Sequence, residues 1–308
     1  MNTPAAGILS VTFLGIDISL LGTWALVVIM VTMGLTLRPA DFRQVLVVPR
    51  AVLTGLAAQI VLLPAVAFAL VLAFSPSLPV AVGLMILACC PSGATSNFFS
   101  YLARGDVALS IVLTVSSGAI VVFTIPLLVN LVLDHLAGTG RQIHLPVGRS
   151  MARIFNLIVL PAIVGMALRR AAPALAAKVQ PWATRISFVV VLFTMAVLLA
   201  YVADSFARMW AMAWDVTVAL NLVMMSLGML AARLAGLNVA QARTITIEVG
   251  IQNYLLSVVI AVGLLGQPDF AIVPILYLFI MYATSLSFIA YCRYWAAPAQ
   301  CPVAAPQK

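Results

Sequence analysis

Thr244-Ile-Thr-Ile-Glu-Val-Gly-Ile-Gln-Asn-Tyr-Leu-Leu-Ser257 places the chain's single glutamate, Glu248, in the middle of an apolar run. The seven aspartates (Asp17, Asp41, Asp106, Asp134, Asp204, Asp215 and Asp269) all fall at or near the ends of apolar runs. Glu248 alone lies at membrane depth. A carboxylate there costs about 3 kcal/mol by insertion scales, so it needs a cation or a proton as partner. No Lys or Arg occupies a matching membrane position. A cation delivered from water is the leading reading.

Working outward, composition sets the frame. Hydrophobic residues make up 64% of the 308-residue chain and charged residues 8%, with a mean hydropathy of +1.18. A soluble domain carries roughly a quarter charged residues. The fold class is therefore an all-α polytopic membrane protein, with the lipid bilayer as solvent for its outer surface. A net charge of +8 in such a chain marks topology rather than an acidic partner. No basic run or basic–aromatic patch argues for nucleic acid, and no protein partner is indicated.

Nine apolar stretches are near the ~20 residues that a spanning helix needs: 20–37, 51–73, 79–101, 107–132, 150–168, 186–203, 213–235, 242–264 and 271–292. Turn residues and charge separate them, as in Arg38-Pro39-Ala40-Asp41, Ser75-Pro76-Ser77 and Gly266-Gln267-Pro268-Asp269. With the N-terminus outside, twelve basic residues face the cytoplasm, Arg38, Arg43, Arg104, Arg233, Arg243 and Lys308 among them. Four (Arg141, Arg149, Arg153 and Arg208) face the other side. That bias predicts a multi-pass protein of the cell (inner) membrane with its C-terminus in the cytoplasm. Residues 1–19 lack the basic start of a signal peptide and read as a short external tail. Residues 20–295 form one membrane domain, and 296–308 a cytoplasmic tail.

The third stretch carries a second interruption, Cys89-Cys-Pro-Ser-Gly-Ala-Thr-Ser-Asn97. Pro91 alone reads as a kink. Pro91, Ser92, Gly93, Thr95, Ser96 and Asn97 together read as unwound backbone. Such backbone is tolerated at membrane depth only inside protein or beside a water-filled cavity. The eighth stretch echoes it with Glu248, Gly250, Gln252 and Asn253. Thr244, Glu248 and Gln252 are spaced i, i+4, i+8 and share one face if the helix continues. Two broken helices, five apart in helix order, point to an inverted-repeat transporter with two discontinuous crossing helices. Ser110, Thr114 and Ser117 form a hydroxyl stripe in the fourth stretch, a pattern that also serves as plain helix packing. Gln59 is the lone strongly polar residue in the middle of the second stretch. Carboxylate, amide, hydroxyl and backbone oxygens are what hard cations take.

Enzyme chemistry finds no support. Cys89, Cys90, Cys292 and Cys301 show no Cys-x-x-Cys pattern. His135 and His144 are read into an external loop, which leaves Ser96 without a membrane base.

These strings resemble the bile acid:sodium symporter family over most of the chain, from Met33-Gly-Leu-Thr-Leu-Arg-Pro-Ala-Asp-Phe42 to the last helix. The resemblance is strongest in Cys89–Asn97, Tyr101–Ser110 and Thr246–Asn253. It implies a panel of helices 1, 5 and 6 and a core of helices 2–4 and 7–9. It also implies two sodium ions (Na+). One set of ligands would be Ser96, Asn97, Ser110, Thr114 and Glu248. The other would be Gln59, Glu248 and Gln252 with the carbonyls of Val249 and Ile251. Four departures from the pattern stand out: Ser92 stands for a usual glycine, Ala94-Thr95 reverses a usual Thr-Ala, Ile251 replaces a common Met, and Tyr254 follows Asn253 where a small residue is frequent. The resulting expectation is a sodium-coupled symporter of an organic anion, a small carboxylate rather than a bulky sterol. Asn253 and Tyr254 would face the substrate. Alternatives are a proton-coupled organic-anion carrier with Glu248 as titrating group, and a receptor that binds without transport.

Overall fold

A computed structural model describes residues 12–13, 16–37, 47–136 and 144–294. The Arg38–Asp41 break, Arg43, Arg141, Cys301, most of the external tail and the C-terminal tail with Lys308 lie outside the described residues. Apart from a two-residue antiparallel ladder pairing Thr12–Phe13 with Ile16–Asp17, the described chain is helical. Helix α1 spans Ile18–Thr36. Helix α2 spans Pro49–Phe74, with a π turn at Ala58–Leu62. Helices α3, Leu78–Cys89, and α4, Ser96–Leu102, are the two halves of the third stretch. Helix α5 spans Val107–Leu136. Helix α6, Val147–Ala171, carries a π turn at Phe155–Val159. Helix α7 is Pro173–Leu234 and α8 is Val239–Gly250. Helix α9 is Tyr254–Leu264, and a 3₁₀ turn at Pro268–Ala271 leads into α10, Ile272–Tyr294.

Six helical segments among the described residues are long and apolar enough to cross a membrane, and three shorter ones are apolar. Large apolar side chains such as Trp24, Leu53, Val61, Phe123, Leu131 and Trp182 are exposed. On a chain of this composition they form the lipid-facing surface. The protein is therefore multi-pass.

Local chemistry sets the helix ends. Proline stands in the first turn of α2, α3 and α7, where its missing N–H costs nothing. Asn238 caps α8: its Oδ1 accepts from the Gln241 N–H at 2.9 Å, and Gln241 Oε1 accepts from the Asn238 N–H at 3.3 Å. Asp106 Oδ1 accepts from the Leu109 N–H at 3.0 Å at the start of α5. Helices α1 and α6 touch through glycine. A Cβ on Gly34 would stand 2.2 Å from the Ala162 carbonyl oxygen, and one on Gly165 would stand 2.1 Å from that of Val31. Only glycine allows backbones this close.

Three expectations need correction. Stretches 186–203 and 213–235 imply a break at 204–212, but α7 stays helical through it while bending back, since Val191 lines a cavity with Gln252 and Asn253 and Asn221, thirty residues on, bonds Gly250. No Gly or Pro occurs between Thr184 and Gly228. Asp204 and Arg208 also stand i, i+4, in the favourable order for a helix. His135 is on the last turn of α5, 5.5 Å from the Phe68 ring, rather than in a loop. Thr244, Glu248 and Gln252 do not share one helical face, because α8 stops at Gly250 and Ile251 is extended (φ −105°, ψ 104°).

Candidate functional site

The two breaks meet. The Gly93 N–H donates to the Ile251 carbonyl at 3.1 Å, and the Asn253 N–H donates to the Pro91 carbonyl at 2.9 Å. Ser92 and Gln252 face each other as an antiparallel bridge. A short piece of two-stranded pairing thus replaces the hydrogen bonds that each helix loses where it unwinds. This is how polar backbone survives in an apolar interior. Asn253 then starts α9, its Oδ1 accepting from the Leu256 N–H at 3.1 Å.

Glu248, on the last turns of α8, is 2% exposed and points into a ring of hydroxyls. Ser96 Oγ donates to Oε1 at 2.6 Å, and the Ser110 hydroxyl bonds the same oxygen. The Ser92 hydroxyl bonds Oε2. Thr114 Oγ1 lies 3.1 Å from Oε2 and 3.4 Å from Oε1. Three elements therefore converge on one carboxylate: the break with the start of α4, the first turns of α5, and α8. Asn97 Oδ1, beside Ser96 in sequence, is buried without a hydrogen-bond partner. A hard cation suits such a donor set, with one carboxylate, several hydroxyls and an amide oxygen left over. Among the described residues no group of three His, Cys, Asp or Glu side chains forms a metal site.

The second set is knitted together differently. Gln59 sits in the π turn of α2 and is buried. Its Nε2 donates to Gln252 Oε1 at 2.7 Å and to the Cys90 carbonyl at 3.1 Å. Gln252 Nε2 donates to the Val249 carbonyl at 2.8 Å. The Val249 and Ile251 carbonyls and the Gln252 amide oxygen thus already have partners. Only the first set leaves an oxygen unpartnered.

Two cavities flank the crossing. One, of about 210 Å³, lies between α1, α5 and α6 and is lined by Met30, Met33, Ser92, Thr114, Ala162 and Asn253, among others. The other, of about 20 Å³, is lined by Met30, Thr95, Gln252, Asn253, Tyr254 and Tyr282, among others. Asn253 and Met30 belong to both. Tyr254 is buried and lines the smaller cavity, and its hydroxyl has no partner.

Sequence reasoning gave three side chains here no individual role. Ser92 bonds Glu248 directly, and the sequence marked it only as a member of the polar cluster and as a departure from the family pattern. Asn221 Nδ2 donates to the Gly250 carbonyl at 2.9 Å and bonds the Tyr277 hydroxyl at 3.0 Å. Tyr277 itself donates to the Gly250 carbonyl at 2.9 Å. Together they hold the free end of α8. Asn221 was detectable as a lone amide within an apolar stretch, whereas Tyr277 carried no signal.

Residues 23–209 match the family described as the Sodium Bile acid symporter family. The chain is 32% identical over 83% of its length to the "Probable sodium/metabolite cotransporter BASS1, chloroplastic" of Arabidopsis thaliana, of which it covers 60%. It is 30% identical over 73% of its length to the "Uncharacterized sodium-dependent transporter YocS" of Bacillus subtilis, of which it covers 68%. It is 27% identical over 78% of its length to the human "Ileal sodium/bile acid cotransporter", of which it covers 68%.

Proposed function

The chain belongs to the sodium bile acid symporter family, and from that premise we propose that it is a sodium-coupled symporter of a small organic anion, working by alternating access. The observation that carries the reading is the Glu248 carboxylate at the crossing. It is ringed by Ser92, Ser96, Ser110 and Thr114, and it adjoins a cavity that Ser92 and Thr114 also line. Both carboxylate oxygens have hydroxyl partners, which supports a site where a cation can join a carboxylate and neutral oxygens.

Two sodium ions are proposed. The first would take Ser96, Asn97, Ser110, Thr114 and Glu248. The second would take Gln59, Glu248, Gln252 and the carbonyls of Val249 and Ile251, after exchange of the amide contacts that these groups now make. Sodium would bind the two breaks to each other through Glu248. The organic anion would then enter the adjoining cavity and meet the Asn253 amide, whose oxygen is occupied by the cap and whose N–H₂ is a donor. The cavity's 210 Å³ is below the ~300–1,000 Å³ of sites for drug-sized ligands, which supports a small carboxylate. Rocking of a core (α2–α5, the C-terminal half of α7, and α8–α10) against a panel (α1, α6 and the N-terminal half of α7) would expose the site to each side in turn. Two contacts support this grouping: the close α1–α6 glycine contact and the Asn221–Gly250 bond between α7 and α8.

The deciding experiment is uptake in proteoliposomes with a panel of labelled small organic acids under an imposed sodium gradient. Sodium-driven accumulation of one acid is the expected result. Equal uptake driven by a pH gradient in sodium-free medium would replace sodium with a proton on Glu248.

A further inference from the structure

Two side chains touch both the carboxylate and the cavity wall, Thr114 and Ser92, and the predicted ion ligands omit Ser92. Ser92 is 2% exposed. Its hydroxyl bonds Glu248 Oε2 and also reaches Thr114 Oγ1 at 3.2 Å. Oε1 has Ser96 and Ser110 as close donors, whereas Oε2 has Ser92 and the longer Thr114 contact. Ser92 therefore holds the side of the carboxylate that the other two serines leave free. It is also one of the polar residues on the wall of the 210 Å³ cavity. Its backbone is fixed by the pairing of the two breaks, so the hydroxyl can turn but the residue cannot drift.

We propose that Ser92 is a cation ligand and a side chain through which cation occupancy is felt on the wall of the substrate cavity. With no cation present its O–H points at Oε2. When a cation takes Oε2, the hydroxyl turns, and its oxygen lone pair joins the shell in place of the hydrogen bond. The same turn changes the polar group that the cavity offers an incoming anion. This inference deepens the sodium reading of Glu248 and rests on it.

Purified protein and sodium chloride alone are enough for the test, with potassium chloride at equal ionic strength as control. A ligand that binds only the folded state raises thermal stability in a concentration-dependent way. The sodium midpoint of this stabilisation is compared for the parent, Ser92→Ala, Ser92→Gly, Ser92→Thr and Glu248→Gln. Loss of one neutral oxygen should raise the midpoint about fivefold in the alanine and glycine variants. Threonine keeps the hydroxyl and should stay near the parent value. In parallel, Ser92→Cys is reacted with a small charged methanethiosulfonate reagent, the parent's own cysteines setting the background rate. Sodium should slow this reaction severalfold.

Unchanged midpoints for alanine and glycine overturn the ligand role while leaving the Glu248 reading intact. A threonine midpoint as weak as that of alanine reassigns Ser92 to packing. A cysteine reaction rate indifferent to sodium removes the link to the cavity. A parent protein whose sodium response matches that of Glu248→Gln overturns the sodium reading itself, and this inference with it.

Discussion

At the scale of single residues, Glu248 dominates because of where it is rather than what it is. A buried carboxylate with four hydroxyl neighbours is stable only while those donors or a cation face it. Glu248→Gln should therefore abolish sodium-driven uptake in proteoliposomes, while folded protein is still recovered by size-exclusion chromatography. Ser110→Ala and Thr114→Ala each remove one neutral oxygen from a shared shell. Their apparent sodium affinity should fall about three- to tenfold, less than the loss at Glu248, as read from the sodium dependence of uptake. Gln59 differs because it is also a structural bond. Truncation to alanine strands the Cys90 carbonyl and the Gln252 amide. A thermal melt should show a loss of about 1–3 kcal/mol in addition to any change in sodium dependence.

At the scale of elements, the two breaks act as one unit, and their supports lie outside the ion shell. Asn221 and Tyr277 together satisfy the Gly250 carbonyl, the free end of α8. Tyr277→Phe combined with Asn221→Leu should let that end relax and weaken sodium affinity, although no proposed ligand is touched. The sodium midpoint of thermal stabilisation reads this, and an unaltered midpoint would show that α8 is held by packing alone. The α1–α6 contact is a second element-scale device. Gly34→Val drives a branched side chain into the Ala162 carbonyl. It should cost about 1–3 kcal/mol by overpacking and should lower Tm in detergent, with sodium protection retained in the fraction that folds.

At the scale of the whole molecule, topology and selectivity are decided. Helix α7 carries two apolar windows, Pro173–Ala200 and Val202–Leu234. A straight helix would put Val191 and Asn221 ~45 Å apart, yet Val191 lines a cavity with Gln252 and Asn253 and Asn221 bonds Gly250, so the two windows fold back on each other. Arg233, Arg243 and Arg293 reach the cytoplasm with the other basic residues only if both windows cross. We therefore expect an N-terminal tag to be external and a tag after Lys308 to be cytoplasmic. Protease access in oriented vesicles checks this, and both tags on one side would mean that α7 crosses once. Selectivity belongs to this scale too, since the cavities form between helices far apart in sequence. Tyr254 packs into the smaller cavity with Thr95 and Tyr282. Tyr254→Ala should enlarge that flank and admit larger acids while sodium dependence stays. Competition with a size series of carboxylates checks this, and an unchanged size profile would count against it.

Composition, two polar interruptions and the position of one glutamate were enough to determine a multi-pass helical protein with two interrupted helices and a buried carboxylate in want of partners. Those properties follow from the cost of polar groups in lipid, which is a local property of each stretch. Ser110 and Thr114 were legible as regularly spaced hydroxyls in apolar surroundings and Ser96 as part of a polar break, while their link to Glu248 came from the family resemblance. What only the tertiary structure decided is how the two breaks pair. That pairing brings Ser92 to Glu248, uses up the Ile251 carbonyl, and turns Gln252 off the α8 face, where its amide takes the Val249 carbonyl. Gly34 and Gly165 gave no clue to each other, and Tyr277 gave none to Gly250. Such contacts depend on which backbones approach across more than a hundred residues or on how a helix end is braced. Helical periodicity carries information over a few turns, and the meeting of distant elements is set by packing alone.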